Sequence, residues 1–204
     1  MNGETAGRVD TVLPHRGEDH LAPGHAGASL AEGYEEHYQR VGRWKGSCGT
    51  REAQAKVTEF WLSQGDPGLR WLAGRLRSEG HIDALDGTAA VLSMAGPTAI
   101  SPILEELERQ PSTDQALALL RALAWIGEDG VEAQPSLTTR LETALSGFLG
   151  HGDADVREYA ARSAHLLPRQ RAAGLIGDRL DVETDAAVRA AIEEVIDAGA
   201  TGRG

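Results

Sequence analysis

The chain has 204 residues, a formal net charge of −11 from 31 acidic and 20 basic residues, and only 4% aromatic residues. A chain this long can bury roughly 70% of its unfolded surface in one domain, but scarce aromatics against an Ala, Leu and Gly background suit thin helical layers, not a large β core. The acidic balance disfavours general attraction to nucleic acid or anionic lipid, and no apolar run approaches the roughly 18 residues of a membrane span. The start shows no apolar stretch behind basic residues, so a secretory signal is not expected. Cys48 is the only cysteine, so no internal disulfide can form, and the expected compartment is reducing and cytoplasmic.

Residues 1–33 contain six Gly, no aromatic residue, and Pro14 and Pro23. Such a segment cannot offset its ordering entropy by burial and is expected to be a flexible N-terminal arm. Its His15, His20 and His25 recur every five residues, a spacing that shares no helix face, so no metal site is expected there. Residues 34–50 are expected to form a capping helix and loop, with Tyr34, Tyr38 and Val41 on one side. Cys48 precedes Thr50, a candidate helix cap, but no His-Asp or His-Asn set accompanies it, so no catalytic residue is assigned.

From residue 51 a pattern repeats. In Asp153-Ala-Asp155-Val156-Arg157-Glu-Tyr-Ala160-Ala-Arg-Ser163-Ala164-His-Leu166-Leu167, apolar or small residues fall four, seven, eight and eleven places after Val156. That is one stripe of a 3.6-residue helix, with Asp153 placed to cap it. The stripe returns from Ala53, Leu85, Ala116 and Val188, and the anchors are separated by 32, 31, 40 and 32 residues. The long interval contains Glu128–Pro135, which reads as an inserted loop. Second helices fall between the anchors at about 68–78, 98–108, 136–149 and 169–180, and a last helix near 185–198 has no partner. Residues 199–204 read as a frayed tail.

The anchored helix resembles the first helix of a HEAT repeat. Gly96-Pro97-Thr-Ala-Ile100-Ser-Pro102-Ile103-Leu104-Glu-Glu-Leu107 resembles the second helix of the HEAT class found in phycobilisome-lyase-like proteins, in which a Gly ends one helix and an Ala-Ile-x-Pro run opens the next. The resemblance covers about residues 51–198. It implies an all-α fold, an α-solenoid winding as a right-handed superhelix of about four hairpins plus a C-terminal half-repeat. It brings no catalytic residues with it. It also implies that Arg157 and Arg189, at the same repeat position, bond an Asp of an adjacent turn as a ladder.

In HEAT stacks the second helices line the concave face. At 100° per residue, Leu69, Leu72, Ala73 and Leu76 form the core stripe of the first of them, and Trp71, Gly74, Arg75 and Ser78 lie opposite. The outward sets of the next three are Pro102, Glu105 and Glu106 with Arg109 beyond; Thr139, Glu142, Thr143 and Ser146; and Gln170, Gly174, Gly177 and Asp178. The expected surface is mixed and mildly acidic, and its one large aromatic is Trp71, with Arg75 placed to stack on it. Trp71 would otherwise pack under a neighbouring repeat. Trp125 also falls opposite its helix's stripe, with Arg121 four residues before it, but its helix is apolar almost all round and Trp125 is expected to pack there as in a buried central helix.

These readings make the expected protein a non-enzymatic adaptor or scaffold. Its partner is a protein held by Trp71, Arg75, Glu105, Glu106, Glu142 and Asp178, without cofactor or metal. One alternative is a phycobilisome-lyase-like enzyme or accessory with a small hydrophobic ligand near Trp71. Another is nucleic-acid binding by the basic and aromatic segment 40–77, where eight Lys or Arg face three acids. The eighteen acids against ten bases of residues 101–204 oppose that alternative.

Overall fold

The computed structural model describes residues 58–76, 82–127 and 135–201. The expected arm, the capping helix, Cys48 and the histidines at 15, 20 and 25 lie outside the described residues, as does the expected inserted loop except for Pro135. The described residues are helical, with no strand among them. Helical residues 58–63 are followed by α1 (Gly65–Arg75), α2 (Ile82–Met94), a 3-10 turn (Gly96–Ala99) and α3 (Ile100–Leu107). Then come α4 (Thr113–Ala124), α5 (Pro135–Leu149), α6 (Ala154–Ser163) with a 3-10 turn (Ala164–Leu166), α7 (Arg169–Leu180) and α8 (Ala186–Thr201). None of these helices is long and apolar enough to cross a membrane.

Local chemistry sets the boundaries. Ser112 accepts from the Gln115 amide while the Gln115 side chain accepts from the Ser112 amide, a reciprocal capping box that starts α4. Asp153 accepts from the Val156 amide at the head of α6, and Asp185 accepts from the Ala187 and Val188 amides at the head of α8. Pro135 opens α5, where a missing N–H costs nothing. Gly65 and Gly96 have φ of +62° and +66°. They turn the chain after helical residues 58–63 and after α2 in a conformation that side chains resist.

Packing alternates along the chain. Helices α2, α4, α6 and α8 pack each on the next, and so do α1, α3, α5 and α7. Between successive hairpins the two rows also touch: α1 with α2, α3 with α4, α5 with α6, α7 with α8. The core lies between them. Leu69, Leu72, Ala73 and Leu76 of the first stripe are buried, as are Val156, Ala160, Ser163, Ala164 and Leu167. Helices α4, α6 and α8, which pack on one another, bury small residues (Ala116, Ala122, Ala160, Ala161, Ala191), and such residues permit close approach of backbones. Ser163 is the polar member of that stripe, and its hydroxyl lies 2.7 Å from the Tyr159 carbonyl and 3.1 Å from that of Leu120, joining α6 to α4.

Three expectations are corrected. Pro102 and Glu106 do not face outward; both are buried. The short α3 has neighbours on α1, α4 and α5, so little of its circumference is free. Trp125 is not packed inside its helix: it sits at the end of α4 and is 50% exposed, while Arg121 lies over the Tyr159 ring at 5.0 Å. The arginine ladder does not run through an aspartate. Arg157 pairs with Glu183, and Arg189 donates to the carbonyls of Leu180 and Glu183.

Candidate functional site

Helices α1 and α3 lie side by side and leave a groove of about 580 Å³ between them. It is lined by Arg70, Trp71, Gly74 and Arg75 from α1, and by Glu105, Glu106 and Arg109 from the end of α3. Four of the six sequence-predicted site residues (Trp71, Arg75, Glu105 and Glu106) therefore meet in one place. Glu142 on α5 and Asp178 on α7 are not part of it.

Trp71 is half-buried there. Its ring stacks on that of Trp61, with 5.4 Å between centroids and 9° between planes, and Trp61 is fully buried with Phe60 edge-on at 5.1 Å. The indole thus has one face on the core and an edge in the groove. That fixes its rotamer and presents a rigid apolar edge to anything entering. The 100° rule placed it off its own helix's stripe. Its partner lies on the preceding helix, which no single-helix projection contains.

Carboxylates on this side of the molecule are already engaged. Arg70 on α1 bonds Glu105 on α3, and Arg109 bonds the buried Glu106. Arg140 on α5 makes a two-point contact with Glu108, just past α3, at 2.9 and 3.0 Å. Arg171 on α7 reaches Glu142 on α5 at 3.0 Å. Each successive pair of these helices is thus bridged by an arginine and a glutamate. Such exposed pairs are worth about 0–1 kcal/mol each. Their effect here is to cancel the acidity that the sequence assigns to this surface. Among the predicted acids Asp178 is the exposed one for which no ion pair appears. Arg70, Gly74 and Arg109 line the groove outside the six predicted site residues, and Arg70 entered the sequence reading only as a base of segment 40–77; its acid partner lies 35 residues on.

Among the described residues no group of three or more His, Cys, Asp or Glu is placed to hold a metal ion. The charged side chains of the groove come as arginine–carboxylate neighbours, an arrangement that recognises polar surface and planar groups by hydrogen bonding. Comparison of the chain with protein-family models, with curated proteins and with solved structures finds no match.

Proposed function

We propose that the protein is a HEAT-like α-solenoid that serves as an adaptor, holding a protein partner against the face made by α1, α3, α5 and α7. The alternating packing of two helix rows supports the solenoid reading, since each hairpin touches only its neighbours in such a stack. The observation that carries the binding reading is the groove at α1 and α3. There a fixed tryptophan edge is ringed by Arg70, Arg75 and Arg109 and by two glutamates. Tryptophan and arginine together mark binding centres on protein surfaces. The volume also suits a small molecule, but sites for hydrophobic ligands are lined mainly by apolar side chains, and five of the seven lining residues here are charged. For nucleic acid, the described part of the basic segment offers little: Trp61 is buried, and Arg70 is held by Glu105.

The experiment is capture of partners by the full chain, followed by affinity measurement with Trp71→Leu and Arg109→Glu. Arg109 is about half exposed, with 52% of its side-chain surface in solvent, but it bonds the buried Glu106, so affinities are compared with circular dichroism and melting shown unchanged. Each change is expected to lower partner affinity at least roughly tenfold. A captured partner that both variants bind as wild type does would sink the reading.

A further inference from the structure

Leu62, Met94 and Trp125 are three of the four large apolar side chains left exposed among the described residues, at 43%, 43% and 50%. Counted from Ala53, Leu85 and Ala116, each is the ninth residue on, so all three share one repeat position. A single exposed apolar residue needs no explanation, but recurrence in three successive helices does. Contacts between successive helices of this row join equal positions or positions about one turn apart. Arg162 on α6 and Glu194 on α8, both sixth from their anchors, meet at 2.6 Å. The Thr58 hydroxyl, 3.7 Å from the Met94 sulfur, sets helical residues 58–63 against α2, and α2 packs on α4.

The ninth position continues as His165 and Asp197. His165 is turned inward, its ring nitrogens 2.7 and 2.8 Å from the carbonyls of Arg162 and Ile126. Asp197 is exposed, with exposed Glu193 and Glu194 one turn before it. The row thus passes from three apolar side chains to Asp197, with Glu193 beside it, while Glu194 is already paired with Arg162.

We infer that this row binds an extended segment of a partner protein, with three apolar side chains followed by a basic cluster. The spacing sets its form. Packed helices stand about 8–10 Å apart, and three extended residues span about 10 Å. An apolar residue at every third position therefore meets each helix in turn. Two further helix steps, about six residues, bring Lys or Arg to the carboxylates of α8. A second copy of the chain fits less well. Three half-exposed side chains fall short of the roughly 800 Å² per partner of a stable dimer, and a copy brings carboxylates, not bases, to carboxylates.

The test uses the full chain and a fluorescein-labelled peptide of about fourteen residues. It carries Leu at every third place of one half, three Lys at the far end, and Gly and Ser elsewhere. Its reversed sequence and a scramble of equal composition are run beside it. One of the two ordered peptides should bind at least roughly tenfold tighter than the scramble. Trp125→Ser and Met94→Ser, on different helices, should each weaken that binding at least about fivefold with unchanged circular dichroism and melting. Glu193→Lys combined with Asp197→Lys should abolish its salt dependence. Equal binding of the scramble, or full affinity in both serine variants, would overturn the inference. So would a dimer in sedimentation that Trp125→Ser dissociates, since a second copy would then cover the row.

Discussion

Arg157 and Glu183 form a heavily buried ion pair, with side-chain exposures of 12% and 2%. The guanidinium contacts both carboxylate oxygens at 2.9 and 3.0 Å and donates to the carbonyls of His151 and Gly152. Glu183 also accepts from the amides of Thr184 and Asp185. The Arg157 hydrogen bond, reinforced by those amides and opposed by burial, holds the Glu183 carboxyl at about 2 against an ordinary 4.5. A carboxyl depressed in the folded state stabilises fully above its unfolded value and loses that contribution as pH falls through the folded one. Urea unfolding should therefore show stability declining from about pH 4.5 towards 2, with a flatter profile in Glu183→Gln. Glu183→Ala strands the Arg157 charge and should cost about 3–5 kcal/mol at neutral pH; a cost under about 1 kcal/mol would mean the pair is solvated. The sequence announced the arginine by its repeat position but not the glutamate, which lies 26 residues on in the α7–α8 connection.

At the scale of the element, punctuation was the legible part. Gly96 was readable as a helix terminator, and its φ of +66° shows why: a Cβ there meets nothing within 4 Å, so strain alone opposes substitution. Gly96→Ala should cost about 1–2 kcal/mol by thermal or urea unfolding, whereas a neutral result would mean that the turn relaxes freely. The Ser112 cap of α4 gives a matching expectation: Ser112→Ala should cost about 1 kcal/mol, with the loss of hydrogen-exchange protection confined to the first turn. What failed was the projection of α3. The 3-10 turn before it advances about 120° per residue, not 100°. The helix is also only eight residues long, with six of them buried. A wheel drawn for a half-exposed helix therefore put Pro102 and Glu106 on the wrong side. Trp125 erred the opposite way: it is the C-cap of α4, with its amide still bonded to the Arg121 carbonyl, and it stands on the side opposite the apolar stripe, so the apolar character of the helix did not bury it.

For the whole molecule, the repeat period carried most of what could be read. Anchors at 116, 156 and 188 predicted the helices α4, α6 and α8, and Ala116, Val156 and Val188 are all buried. Contacts between rows and between successive outer helices were hidden, since Arg140–Glu108 and Arg171–Glu142 join residues 32 and 29 apart that each project from their own helix. The alternating pattern makes a specific claim about how damage spreads. Val156 is fully buried in α6, which packs on α4, α5 and α8. Val156→Asp sets an unpaired charge in that seam and should cost several kcal/mol. If stability is a sum of nearest-neighbour terms, protection against hydrogen exchange should fall first in α4, α5 and α8, while α1 and α3 keep theirs at moderate denaturant. Simultaneous loss in all helices would instead describe one cooperative bundle, and the solenoid reading would have to be given up. The contrast is sharp because α1 and α6 share no direct packing: only a core that unfolds as a unit transmits the charge that far.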